Sequence, residues 1–229
     1  MTRGKRAVVS KPKLPQGAKG KRTRARVVAA ARAVFEQKGY LDARVADIAA
    51  QADIGHGTFY SYFDSKEDVF SECAHAVADD LFTAYDVPAG LSPTERIHHR
   101  NHRYVELYEK NAAMMGLMEQ VALFNEDLLE LRTSIRRHFV ERVESAIAHL
   151  NETRPADEVK LDPLLAANAL GSLVDNFCYT WFVLGEPFEH DAALETIDRI
   201  WTRALGLEDD AAGRAASARG RRERETAGG

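Results

Sequence analysis

From Lys21 to Lys38 apolar residues recur at helical spacing. Val28, Ala31 and Phe35 fall at i, i+3 and i+7, with Val27, Ala30 and Val34 beside them, which predicts an amphipathic helix. Gly39 follows where a left-handed helix end is expected. A shorter segment, Arg44 to Ala52, turns Val45, Ile48, Ala49 and Ala52 to a common side, and after a turn at Asp53-Ile54-Gly55 the stretch His56 to Phe63 predicts a third short helix. Ser65, with Asp68 three residues on, marks the next start, and Val69, Phe70, Cys73, Val77 and Leu81 form its buried stripe. Ser92, Pro93 and Glu95 repeat the start signal. A methionine-rich helix follows, then a long one whose Leu128, Leu131, Ile135, Phe139, Val143, Ala146 and Leu150 step by three and four. Asp162-Pro163 opens a helix running to Leu184, and 191–206 gives a last one with Leu194, Ile197, Trp201 and Ala204. No segment alternates with period two. The predicted fold class is all-α: an N-terminal three-helix helix-turn-helix domain followed by a larger helical domain.

Charge adds an asymmetry that this pattern does not reveal. The net charge is −4, yet residues 1–64 carry thirteen Lys/Arg against five Asp/Glu, so a head of +8 sits on a body of −12. Ten of those cations precede residue 27, with no acid among them, which points to a polyanion at one end or, more plainly, to a solubilising tail. Residues 1–18 lack periodicity and are expected to be a disordered basic arm. Residues 19–67 then form the head, 68–207 the larger domain, and 208–229 a disordered Ala/Gly/Arg/Glu tail. The N-terminus lacks the apolar stretch of a signal peptide, and no apolar run approaches the roughly 20 residues that span a bilayer. Cys73 and Cys178 have neither metal nor redox spacing. A cytoplasmic protein with no membrane partner is expected.

The stretch 52–66, ADIGHGTFYSYFDSK, carries the candidate chemistry. In a helix from His56, Phe59 and Phe63 share the face that buries against Val28, Phe35 and Ile48. His56, Gly57, Tyr60 and Ser61 are left as an outward strip of small and hydrogen-bonding groups, with Thr58 among the candidate contacts. A short pair of helices with such a strip is the geometry that enters a major groove. Gly57 removes bulk where the helix nears the groove floor, and Gly55 lets the chain turn in. Tyr60 and Tyr62 offer hydroxyls to phosphates, and Lys66 with the amides near Ser65 offers another phosphate contact. The plainer alternative for either tyrosine is packing.

The segment GYLDARVADIAAQADIGHGTFYSYFDSKEDVF resembles the helix-turn-helix signature of the tetracycline-repressor (TetR) family. Phe35, Gly39, Val45, Asp47, Ile48, Ala49, Ala52, Gly57, Tyr60, Tyr62, Phe63, Ser65, Lys66 and Glu67 match in register without gaps. Three positions depart from the pattern. Ala43-Arg44 replaces the Thr or Ser that opens the second helix, so Asp42 is expected to cap it and Arg44 to take a phosphate. Asp53 replaces the turn glycine, and Gly55 replaces the serine that caps the recognition helix. The resemblance implies double-stranded operator DNA as a partner, a homodimer, and a ligand-binding and dimerisation domain from about residue 68 whose last two long helices form a four-helix bundle with a second subunit. Ala167, Ala169, Gly171 and Ser172 would permit close approach there, and Trp181 and Trp201 would lie on its broad apolar side.

Candidate ligand contacts lie on helices that mix aromatic, methionine and stray polar residues: Tyr104, Tyr108, Met114, Met115, Met118, Phe124, Asn176, Phe177 and Trp181. Methionines suit a small, apolar or amphipathic effector, although any one of these side chains also reads as core. His98, His99 and His102 form a polar wall rather than a metal site, because no acid or Cys lies at ligand spacing beside them. No nucleophile motif, phosphate loop or paired-carboxylate site appears, so neither an enzyme nor a cofactor is expected. The expected function is a ligand-responsive repressor of a palindromic operator. The alternative is a DNA-binding protein of the same fold that acts through a protein partner without an effector.

Overall fold

A computed structural model describes residues 17–155 and 160–207. Among these there are nine α-helices and no strand: α1 (Ala18–Asp42), α2 (Val45–Gln51), α3 (His56–Phe59), α4 (Lys66–Phe82), α5 (Pro93–Lys110), α6 (Ala112–Ala122), α7 (Glu126–Thr153), α8 (Pro163–Cys178) and α9 (His190–Ala204). A 3-10 turn, Thr83–Tyr85, ends α4, and a π-helical turn, Tyr179–Val183, extends α8. The all-α expectation is met. The basic arm as far as residue 16 and the whole of 208–229 lie outside the described residues.

The predicted caps form. Ser65 Oγ accepts the Asp68 N–H at 3.1 Å, while Asp68 reaches back to the Asp64 N–H at 3.1 Å, one residue earlier than a standard box. Ser92 and Glu95 make the full reciprocal box, with Pro93 at the first helical position. Asp162 Oδ1 accepts the Leu165 N–H at 2.8 Å. Gly39 breaks α1 at φ 78°, and Asp53 holds the left-handed turn at φ 50°. Asp42 does not cap α2: the carboxylate of Asp47, within the helix, accepts the Arg44 N–H at 3.1 Å and pairs with Lys38 at 2.9 Å.

The head folds round Phe35, Ile48, Phe59, Phe63 and Phe70, all fully buried, with Phe35 edge-on to Phe70 at 5.0 Å. Two cations lock its corners. Arg24, counted in sequence among groups available to a polyanion, instead makes a two-pronged bond to Glu72 on α4 and lies over the Phe63 ring at 4.7 Å. Lys66 Nζ donates to the carbonyls of Tyr40, Leu41 and Ala43, at 2.7, 3.4 and 3.1 Å, and sits over the Tyr40 ring. These carbonyls end α1, so Lys66 closes that helix against α4.

The Arg24 bond holds the Glu72 carboxyl below its ordinary value of 4.5, against a smaller opposing push from burial. A carboxyl lowered on folding stabilises the protein above its unfolded value, and that stability is lost as pH falls through the folded value. Arg24→Met should therefore lower the urea midpoint at pH 7 but bring it close to wild type near pH 3. A difference unchanged by pH would show that Arg24 acts only by packing on Phe63.

In the larger domain α7 and α8 make the most extensive helix pair. Gly171 of α8 faces the ring of Phe139 so closely that a Cβ there would collide with it. Arg132 on α7 bonds both Glu119 of α6 and Asp175 of α8, the latter at 2.8 Å, and the Tyr104 hydroxyl of α5 donates to the other Asp175 oxygen at 2.8 Å. Burial first, then Asp175, pushes the Tyr104 phenol well above its ordinary range, so it remains a donor.

Candidate functional site

The α3 face is built by burying one side. Phe59 and Phe63 point inward with their rings 5.8 Å apart, as the sequence predicts. Helical geometry stops at Phe59, four residues earlier than expected, and Tyr60-Ser61-Tyr62 tighten into turns through Ser61 N–H to Thr58 O and Tyr62 N–H to Phe59 O. Thr, Tyr and Ser are middling helix formers, and the turns still deliver Phe63 to the core. Gly55, His56, Gly57, Thr58, Tyr60 and Ser61 are exposed, and His56 and Tyr60 stack edge-on at 5.3 Å. Tyr62 is half-buried, and Arg44 is exposed at the start of α2.

Two roles read from sequence change. Gly55 sits in extended backbone at φ −67°, so the turn does not need its freedom; Asp53 supplies the left-handed residue. Lys66 spends its donors on three carbonyls and is a clamp within the head rather than an outward phosphate contact. At Gly57 a Cβ would meet nothing within 4 Å, so that side of α3 stands open and packing within the chain does not call for the glycine.

The larger domain holds a cavity of about 410 Å³ between α5, α7 and the end of α9. Its interior is made by Tyr104, Phe139, Val143, Ile147, Val174 and Trp201. Of the nine ligand contacts expected from sequence, only Tyr104 lines it. Tyr108, Met114, Met115 and Met118 are fully buried core, and Trp181 is buried against Phe182. Phe124 is 62 % exposed beside Tyr40, Asn176 faces outward, and Phe177 stacks on Phe188. Methionine content misled, because Met114, Met115 and Met118 are spent in the core where α6 packs against α1 and α7. The residues that form its interior are ordinary branched and aromatic side chains, those of α7 at helical steps of four, a signal no different from that of core.

The histidines find the acid that local spacing did not offer. Asp198 of α9 accepts from Asn101 at 2.9 Å and lies 2.8 Å from His102 Nε2 and 4.0 Å from that of His98. His99 lies 3.3 Å from the Asp86 carbonyl. Among the described residues no group of three or more His, Cys, Asp or Glu is arranged to hold a metal, and no helix is long and apolar enough to cross a membrane.

Residues 27–73, which span α1 to α4, match the family described as "Bacterial regulatory proteins, tetR family". Over those residues the chain carries the DNA-binding head of TetR-family regulators. It is 39 % identical over 69 residues to the HTH-type transcriptional repressor KstR2 of Rhodococcus jostii (strain RHA1), covering 30 % of this chain and 33 % of that one. It is 23 % identical over 192 residues to the HTH-type transcriptional regulator YhgD of Bacillus subtilis (strain 168), covering 78 % of this chain and 94 % of the relative. The fold is also that of a TetR-like transcriptional regulator from Rhodococcus sp. RHA1, with a TM-score of 0.64 at 23 % identity over 80 % of this chain and 96 % of the other. Regulators of this family are not enzymes. The family match covers the head, where the outward strip of α3 lies.

Proposed function

We propose that this TetR-family regulator acts in the cytoplasm as a homodimeric repressor, reading a palindromic operator with α3 and releasing it when a small, apolar or amphipathic effector fills the cavity of the larger domain. The observation that carries the DNA half is the open face of α3: small and hydrogen-bonding groups point outward from a segment whose other side is pinned by Phe59 and Phe63. The cavity supports the effector half, because about 410 Å³ falls within the range of small-molecule sites. It also favours this reading over regulation through a protein partner alone, for which a filled core would suffice. An effector that binds the DNA-free arrangement better shifts the population away from the operator-bound one.

Selection of binding sites from a random DNA pool tests the DNA half. Tyr60→Phe removes the hydroxyl that this reading assigns to a phosphate and should weaken binding to the selected site and to random DNA alike. His56→Ala should change which sequence is selected. If both variants bound with wild-type affinity and sequence preference, α3 would not be the reading element.

A further inference from the structure

Two voids in the larger domain share a wall. The cavity of about 410 Å³ and a smaller void of about 30 Å³ between α4, α7 and α8 have Tyr104 and Phe139 in common. Leu81, Ile135 and Val140 form the apolar side of the smaller void and are buried. Polar groups on its other side are spent on each other: Arg132 bonds Asp175 at 2.8 Å, and Arg136 donates to the Ser172 hydroxyl at 2.7 Å. The space beyond the wall suits hydrocarbon.

The two shared side chains are held differently. Tyr104 is pinned by its hydroxyl, which donates to Asp175 at 2.8 Å. A phenyl ring has no such anchor, so packing alone places Phe139. One edge of the ring lies so near Gly171 that a Cβ there would collide with it, and Gly171 lines the smaller void but not the cavity. The ring is thus bounded by backbone on one side and by open volume on the other. Packed neighbours resist displacement and a void does not, so Phe139 is the part of the wall that can yield. It also stands at the end of a row. Phe139, Val143 and Ile147 line the cavity one helical turn apart on α7, and the row runs on towards Thr153, which is exposed.

We propose that Phe139 is the inner stop of the cavity: an effector lies along α7 with its apolar end against the ring, and the ring fixes the longest chain accepted. This rests on the cavity being the effector site and adds the residue that selects among effectors by length.

Calorimetric titration of the full-length protein with straight-chain alcohols from hexanol to tetradecanol tests it. Each methylene buried should tighten binding about fourfold, up to a length at which affinity stops rising. Phe139→Leu should move that break to a longer alcohol, so that a chain two carbons past the wild-type break binds about fifteenfold more tightly than it does to wild type. Gly171→Ala should move the break to a shorter alcohol, because the new Cβ drives the ring into the cavity. Gly171 lies outside the cavity lining, so an effect there on chain length must pass through the ring. Adding Phe139→Leu to Gly171→Ala should recover at least the wild-type length. Affinity that rises without a break in wild type, or a break that stays in place in Phe139→Leu, overturns the proposal. So does a folded Gly171→Ala protein with an unmoved break, since the helices and not the ring would then have given way. Phe139→Leu alone decides the matter if Gly171→Ala fails to fold. Operator release, measured in parallel, separates the two readings. Alcohols that show both shifts without releasing DNA overturn the effector role and keep the stop, whereas alcohols that release DNA with the break unmoved do the reverse. No binding by any alcohol overturns both.

Discussion

Leu165→Asp or Ile200→Asp should give a folded monomer that no longer binds a specific operator. The reason lies in which apolar groups the fold leaves outside. Trp181 and Trp201, which sequence places on the dimer side, are only 8 % and 5 % exposed and pack inside their own chain. Gly171 is likewise spent within the chain, against Phe139. The exposed large apolar side chains of this end are instead Leu164 and Leu165 on α8, Leu184 and Phe188 after it, and Ile200 on α9, with Leu165 and Leu184 at 69 % and 64 %. Large apolar side chains left exposed on α8 and α9 are what a partner subunit would cover. A charge buried without a partner costs several kcal/mol, comparable to the margin of a modest interface. One α3 reads too few base pairs for a specific site, and two must meet successive major grooves about 34–36 Å apart. Light scattering and operator titration of the same samples check both halves. A variant that stays dimeric would place the interface elsewhere, and a folded monomer with full operator affinity would remove the need for a dimer.

Arg132→Met should lower stability by about 3 kcal/mol, roughly a 6–12 °C fall in melting temperature for a chain of this size. Among the described residues Arg132 is the cation that pairs with both Glu119 and Asp175, and it joins α6, α7 and α8. Methionine preserves much of the packing but leaves two carboxylates facing each other in a partly buried space. The figure sits at the low end for broken buried pairs because both carboxylates keep some access to water. Arg132→Lys should recover only part of the loss, since a single ammonium does not span both partners as a guanidinium fork does. Thermal and urea unfolding measure this. A loss below about 1 kcal/mol would mean that water screens the two acids once the arginine is gone.

What could be read from sequence divides by the distance along the chain over which the physics acts. Ser65–Asp68, Ser92–Glu95 and Asp162–Leu165 are contacts across one helical turn, and each was legible. So was the inward side of α3, because Phe59 and Phe63 are four residues apart. The functions of Arg24, Lys66 and Asp198 depend on partners 23–97 residues away, and nothing local distinguishes a cation bound for a phosphate from one bound for a carbonyl. The cavity was missed for a related reason. A void is a property of how helices cross, and Val143 or Ile147 has the same sequence pattern whether it faces another side chain or empty space.

Phe139 ends up with three neighbours of different kinds. Its ring meets Gly171 across the α7–α8 contact, stands 6.3 Å from Trp201 of α9, and forms part of the cavity interior. Because glycine contributes no side chain, the ring fills the space between the two helices at that level. It is a shim, and its flat and edge-on orientations differ in thickness. A molecule in the cavity that turned the ring would change the gap between α7 and α8, and with it the position of the outer face that carries Leu165.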